Sequence, residues 1–399
     1  MRAKSYIRIF HGQFLPSFTL EAGDPPVAPT LKMVKRITTI TACLLFVALH
    51  PLAAATGQFN PAEGIPQGFS EAGTRAAEFL TIPVGSRGVA LGGAYGALAD
   101  DISAVWWNPA GLGFLTEQQV FLTVADQPLD VSYTYAAAAS PFAGGKFVIG
   151  GFMGILSLGE QEVTTVTQPG GTGATFGAYS LQSGGSFAWN FSDRASAGIN
   201  FKLVHEDIAG NTQSTIAFDL GTNYHTQLAG REIRVAFLIR NIGGNLAFSG
   251  NSLKIGTDPE NIYPGHNIAR QNREALRRAT RFKLPTSFHM SLSWVLNHGD
   301  SHSWLAAAEV NQNNNMPVSY SVGTELARKL AKNTSAALRA GWEFRGDETG
   351  LSGTDRLRGL SAGGGIGYDF ILFRGSIDYA YRNWGRLTAS HLFSLGISF

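Results

Sequence analysis

Three groups of residues have types and spacing that could do chemistry. Glycines at Gly85, Gly88, Gly92, Gly93 and Gly96 precede Asp100 and Asp101, and a glycine-rich loop ahead of an acidic residue could cradle a nucleotide phosphate. The spacing G-x-x-G-x-x-x-G-G fits neither the dinucleotide fingerprint nor a Walker loop, and no parallel-sheet pattern follows it. Asp100 and Asp101 could hold a cation, but two adjacent carboxylates cannot alone supply six or more oxygen ligands. Helix capping or an ion pair is the reading they support. His298, Asp300 and His302 form the one local His-carboxylate cluster. Zinc there lacks a clear fourth ligand, which leaves solvated turn residues. No nucleophile, base and orienting group can be placed together, so the sequence argues for no catalytic residue, no metal and no cofactor.

The elements that hold these residues divide the chain. Gly85 to Leu112, GSRGVALGGAYGALADDISAVWWNPAGL, alternates glycine with small or apolar residues and is not strand-like. Glycine is used where backbone turns tightly or approaches something closely, and Pro109 biases Asn108 out of the helical region. The stretch reads as a compact irregular plug with a short helix. Its distinctive residues are Arg87, Gly92, Gly93, Asp100, Asp101, Trp106, Trp107, Asn108, Pro109 and Gly111. Thr56 to Leu80 ahead of it is a polar lead-in with room for a short helix over 74–79, stopped by Pro83.

From about Glu117 to Phe399, short segments alternate apolar and polar residues as strands do. Fourteen candidate strands fall at 118–125, 131–141, 145–156, 175–191, 194–208, 212–226, 231–248, 284–297, 301–312, 316–329, 333–346, 355–370, 373–384 and 388–399. Ala197, Ile199, Phe201 and Leu203 share one face against Ser196, Gly198, Asn200 and Lys202. Leu338, Ala340, Trp342 and Phe344 oppose Ala337, Arg339, Gly341 and Glu343. Ile377, Tyr379 and Tyr381 oppose Ser376, Asp378, Ala380 and Arg382. A soluble sandwich has the same period, but its second face does not place Lys202, Asp219, Glu309, Arg339, Glu343, Asp378 and Arg382 amid Gly and Ser. Such a face belongs to a wet lumen. The fold class is therefore all-β, a transmembrane antiparallel β-barrel of about 14 strands with an N-terminal plug segment. Trp294, Trp304, Trp342, Trp384, Tyr320, Tyr379 and Tyr381 suit aromatic girdles at the membrane interfaces.

Connection lengths add a check. With both barrel ends periplasmic, the connections after odd-numbered strands face outward, and these include 157–174, 249–283, 311–317 and 346–354. The alternate turns, such as 142–144 and 192–193, are short, as in bacterial outer-membrane barrels. The connection 249–283 carries Arg270, Arg273, Arg277, Arg278, Arg281 and Lys283 with few acids after Glu260. It could engage lipid phosphates, or form a solvated helix over the barrel mouth.

Composition fits this reading. The 399 residues include 48 Gly, only 15% are charged, and mean hydropathy is +0.01, so the apolar bulk of a helical membrane protein is missing. A transmembrane barrel keeps its hydrophobicity in every second residue. Residues 1–55 divide into an aperiodic start and, from Met33, the layout of a signal peptide: Lys35-Arg36, an apolar run over 37–49 and a small-residue exit over 51–55. That run is too short to span a bilayer, and Met33 is the expected true start. Expected segments are 1–55 for extension and signal peptide, 56–116 for lead-in and plug, and 117–399 for the barrel. The first holds six of the 31 basic and two of the 29 acidic residues, so the remainder is near −2 and no nucleic-acid partner is implied. The single cysteine, Cys43, lies in the apolar run, which excludes disulfides and Cys-based metal sites from the exported chain.

The core R-x-x-x-L-G-G-A-Y-x-A-L-A-D-D (Arg87, Leu91 to Tyr95, Ala97 to Asp101) resembles the PorV/PorQ family of outer-membrane barrels. So do Trp107 to Leu112 and the closing segments Ile377 to Tyr381 and Phe393 to Phe399. That family is similar to the FadL-type long-chain fatty-acid transport barrels, which also carry an Asn-Pro-Ala element. The likeness spans roughly Gly73 to Phe399, with its distinctive motifs at the two ends. It implies a bacterial outer-membrane protein beside type IX secretion, capturing or attaching secreted cargo, with secretion components as partners. The terminal row Phe393, Leu395, Ile397 and Phe399 resembles the signal read by the barrel-assembly machinery. The alternative is FadL-like passage of hydrophobic small molecules gated by the plug, and a structural surface protein is a third reading. An inward phase that is mostly Gly, Ser and charge tilts against a greasy tunnel, leaving room for a small pocket near Trp106-Trp107. Outer-membrane lipid is a partner under every reading.

Overall fold

In a computed structural model, residues 73–257, 273–299, 301–345 and 357–399 are described. The leader, Cys43 and 56–72 lie outside these residues, as do Asp300, Arg270 and 346–356. Fourteen long strands run antiparallel: β1 (Gln119–Gln127), β2 (Val131–Phe142), β3 (Phe147–Glu162), β4 (Thr175–Ser192), β5 (Ala195–Ile208), β6 (Asn211–Leu228), β7 (Arg231–Gly243), β8 (Ser287–His298), β9 (His302–Asn313), β10 (Ser319–Ala331), β11 (Thr334–Arg345), β12 (Leu360–Asp369), β13 (Arg374–Asn383) and β14 (Ala389–Ser398). Each pairs with its neighbours in sequence, and β1 closes on β14 with Thr123 opposite Ser394. All fourteen expected strands are present, and closure leaves no sheet edge to satisfy.

The alternation faces the way a membrane requires. Leu203 (49%), Leu338 (69%), Ile377 (64%) and Phe393 (59%) are exposed on the outside. Ser196, Lys202, Arg339 and Arg382 are buried on the inside. Trp342 and Tyr320 ring one end of the outer face, and Trp304, Trp189, Phe191 and Phe370 the other. Trp384 departs from the expected girdle: its indole donates to Ser390 and lies under the Arg382 guanidinium, 4.4 Å from the ring centre. A closed barrel with an apolar belt and aromatic rims is an outer-membrane barrel, and that is where this protein resides. The connections after even-numbered strands are short turns, and outer-membrane barrels keep their short turns on the periplasmic side, which assigns the opposite end to the cell surface.

The plug lies against the inner wall. It contains a 3-10 turn over Glu78–Thr81, α1 (Ser86–Ala90), α2 (Ala104–Trp107) and a 3-10 turn over Pro109–Phe114. The helix expected over 74–79 is displaced, because Ala77 adopts φ 56° and breaks any helix running through it. Asn108 is extended at φ −164°, as its proline neighbour demands, and its side-chain oxygen caps the turn that follows by accepting from Ala110 N–H.

Candidate functional site

The plug is held along its length by the wall. At the outer end Ala76 N–H donates to Lys283 O (3.1 Å), Arg75 to Asn314 O (3.2 Å) and Asn315 to Glu78 (2.5 Å). The chain then descends to the periplasmic start of β1. Midway, α1 packs on β11 to β14, where Gly341 and Gly363 line the wall, and Gly323 on the adjacent β10 faces Leu91. A Cβ at Gly341 would overlap the Leu91 backbone. Gly92, at φ 68°, would drive a Cβ into the Trp342 backbone. Across the lumen the Pro109–Phe114 turn sits on β4, β5 and β6, and there Gly198 makes room for the Pro109 backbone. Glycines on plug and wall thus face one another, and close backbone approach is the physical reason for both sets.

One side of the plug is an ionic cluster. Arg87 donates to Glu325 through Nε (2.9 Å) and Nη2 (3.0 Å), and through Nη1 to Asp100 (2.9 Å), Asp101 (3.1 Å) and Tyr95 Oη (2.8 Å). Glu325 also meets Arg339 (2.6 Å), which reaches Asp378 (2.6 Å), while Arg234 holds the far oxygen of Asp100 (2.8 Å). Burial works against the Arg87 charge, yet Glu325, Tyr95 and Asp100 outweigh it and hold the guanidinium protonated well above its ordinary range. Burial also pushes the Tyr95 phenol well up, so it stays neutral and donates to Asp101 (2.7 Å). Asp101 caps Ser103 N–H (2.9 Å). The two aspartates therefore serve capping and ion pairing together, and their oxygens are occupied by donors of the chain itself.

Of the charges expected inward, Arg339 and Asp378 join this cluster. Glu309 accepts from Gly96 N–H (2.9 Å) and from His289 (2.8 Å), and Glu343 pairs with Arg382 near the outer mouth. Lys202 and Asp219 pair at 2.7 Å on the opposite wall. Trp107 donates to Val84 O (2.7 Å), Asn108 to Gly96 O (3.0 Å), and a Cβ on Gly111 would overlap Ala99 O. Phe393, Leu395 and Phe399 stand on the outer face, and Phe399 N–H donates to Gln118 O (3.0 Å). His298 and His302 flank the β8–β9 turn, His302 meeting Asn297.

The expectation of a lumen lined by Gly, Ser and charge is corrected for one side. On β2 and β3 the inward residues are Tyr133, Tyr135, Phe152 and Leu156, all buried and joined with Val148, Val204, Leu98 and Trp106 in one apolar cluster. In β2 the amphipathic sense is inverted: Ser132, Thr134 and Ala138 face out and the tyrosines face in. The alternation was visible in the sequence, but a period of two does not say which face is which. A second feature escaped sequence reading. Between Phe218 and Leu220 the β6–β7 register shifts, so Asp219 opposes both Arg240 and Asn241 in a β-bulge, which turns both residues inward. Asn241 N–H leaves the ladder for Asp219 (2.9 Å), and its side chain accepts from Lys202 (2.8 Å). Arg240 stacks on Trp106 at 3.7 Å and donates to Leu80 O (3.4 Å). Among the described residues, Arg240 Nε and Trp106 Nε1 are buried without an acceptor. A cleft of about 100 Å³ opens at the periplasmic rim, lined by Arg87, Asp101, Phe121, Arg374 and Asp378 among others. Of the connection 249–283, for which a helix is one of two readings, residues 258–272 lie outside the described residues. Lys254–Thr257 and Arg273–Leu276 pair as a small antiparallel hairpin.

No protein-family model and no curated protein matches the chain. Among solved structures it is similar to a Pseudomonas aeruginosa FadL homologue at 13% identity, over 79% of this chain and 98% of that one, with a TM-score of 0.46. It is similar to the Ralstonia pickettii toluene transporter TbuX at 12% identity, over 79% and 97%, with a TM-score of 0.48. The CymD monoaromatic hydrocarbon channel stands at 12%, 79%, 96% and 0.48. These are likenesses of outline, and the fold itself rests on the closed ladder described above.

Proposed function

We propose that this barrel passes hydrophobic small molecules across the outer membrane, with the plug as its gate, and that it is not an enzyme. The observation behind this reading is the apolar wall of Tyr133, Tyr135, Phe152, Leu156 and Val204, which faces Trp106 inside an otherwise polar lumen. Concave apolar surface with a few convergent polar groups is what a small-molecule site requires. The unmatched donors of Arg240 and Trp106 offer a polar end of such a molecule a partner. The packed lumen means that passage needs the plug to shift. Entry of a fluorescent apolar dye, N-phenyl-1-naphthylamine, into intact cells tests the reading. Uptake should rise with expression of the wild type and fall back with Phe152→Ser. Uptake independent of both would overturn it. The secretion reading rests on the motif resemblance alone, and nothing in the described geometry adds to it. Crosslinking in native outer membranes that recovers secreted cargo or secretion components would restore it. The outer row ending in Phe399 supports handling by the barrel-assembly machinery, and deleting Phe399 should lower folded yield more than deleting an apolar residue in mid-strand.

A further inference from the structure

The connection between β7 and β8 leaves the barrel on the outer side and presents an unusual mixture of side chains. Arg277, Arg278, Arg281 and Lys283 are all exposed, and among the described residues none of the four is ion-paired. Leu276 (63%) and Phe282 (40%) are exposed among them. A solvated loop has no reason to display large apolar residues between cations, whereas a segment at a lipid interface has a use for both.

The run is also held in place. Arg277 N–H donates to Leu253 O (2.8 Å), continuing the small hairpin of Lys254–Thr257 and Arg273–Leu276. At its other end Phe282 pairs with Leu246 through two bonds of 2.8 Å, and Leu246 and Leu284 are buried in the lumen cluster. The basic segment is therefore clamped between a hairpin and the barrel core, so little ordering entropy is lost when it binds a ligand.

We propose that residues 276–283 form a binding site for the phosphorylated glycolipid of the outer leaflet. The arginines take its phosphates, where the planar guanidinium fork matches phosphate oxygens. Leu276 and Phe282 enter the boundary between head groups and acyl chains, and the basic stems lie along the same surface. The apolar pair selects a lipid over free phosphate. The site lies over the outer end of the plug, where Lys283 O accepts from Ala76 N–H, but its ligand is bound by outward-facing side chains and does not depend on the transport reading.

The purified full-length barrel in detergent micelles is titrated with bisphosphorylated lipid A, with the same lipid stripped of its phosphates, and with inorganic phosphate, and lipid binding is read by native mass spectrometry. Lipid A should bind, the stripped lipid should bind about tenfold more weakly or worse, and raising the salt concentration should release lipid A. Replacing Arg277, Arg278 and Arg281 together by Ser should weaken lipid A binding by a similar factor while the band stays heat-modifiable. Leu276→Ser with Phe282→Ser should weaken lipid A and leave any inorganic phosphate binding unchanged. Equal binding of stripped and phosphorylated lipid, or insensitivity to salt, overturns the phosphate assignment even if no variant folds. Inorganic phosphate competing as well as lipid A overturns the lipid assignment.

Discussion

The two sides of the lumen wall solve the same problem in opposite ways. On β8 to β14 the inner face is serine, glycine and paired charge, and the plug meets it with Arg87, Gly92 and backbone amides. On β2 and β3 much of the inner face is aromatic and aliphatic, and the plug answers with Leu98 and Trp106. A buried charge costs free energy unless paired and hydrogen-bonded, so the polar side fixes the plug by a geometry that few alternatives satisfy. An apolar face is held by area and tolerates sliding. Under the proposed function, the polar side anchors the plug and the apolar side admits a molecule beside it.

The largest effect expected from this contrast follows removal of the plug. Deleting residues 73–112 leaves Glu325, Arg339 and Asp378 paired with one another, so the wall should still close and resist protease. Single-channel conductance in planar bilayers should rise by roughly tenfold or more, since side chains and backbone now filling the lumen would give way to water. Conductance equal to wild type would mean the plug is not what blocks the lumen. Next in size is Gly341→Leu, whose side chain must occupy the space of the Leu91 backbone. Folded yield, read as the heat-modifiable fraction, should collapse, because plug and strand cannot both keep their places.

Smaller, but more discriminating, is a pair of truncations. Arg87→Met strands Glu325 and Asp100 beside one another with one cation fewer, and should cost on the order of 3–5 kcal/mol in urea unfolding from micelles. Adding Glu325→Gln should recover part of the loss, because the double variant buries less unpaired charge. Phe152→Ala on the other wall should cost about as much, but no polar second substitution should rescue it. If Arg87→Met is not relieved by Glu325→Gln, the polar side is not an ionic anchor and the contrast fails.

The sequence carried most of the fold and about half of the site. Strand number was readable because the β-period repeats in every strand, and the charges of β9, β11 and β13 were readable because charge on one phase of a strand has only one place to go in a membrane, whereas Glu325 on β10 was missed. The apolar wall was not readable from β2, where V-S-Y-T-Y-A fits either orientation and only closure of the barrel decides. Arg240 was hidden for a different reason. It follows Ala236 and Leu238 in phase, but the bulge that turns Asn241 in beside it depends on Asp219 in the neighbouring strand. Arg87 stood out as the one cation in a glycine-rich motif, yet its partner Glu325 lies 238 residues away and no local spacing joins them.

The smallest predicted effect tests where the polar anchoring ends, at the outer mouth. Glu78 is half-buried beside Asn315, and burial raises its carboxyl pKa, with the Asn315 bond and Arg75 only partly offsetting this. A carboxyl whose pKa is higher folded than unfolded binds protons more readily in the folded state, so stability falls as pH rises through that folded value and is greatest below the unfolded one. Glu78→Gln should therefore tighten the outer anchor at neutral pH. The Gln oxygen can still accept from Asn315, and the second carboxylate oxygen, now buried without a donor, is replaced by a neutral amide. The readout is hydrogen exchange of Ala76 N–H, which is bonded to Lys283 O. Exchange should slow by about twofold in the variant at pH 7, a modest figure because the site is partly solvated. The difference should vanish in acid, where Glu78 is itself neutral. A variant that exchanges faster at pH 7 would show that the Glu78 charge holds the outer end through Arg75, and ionic anchoring of the plug would then extend from the β8–β14 wall to the cell surface.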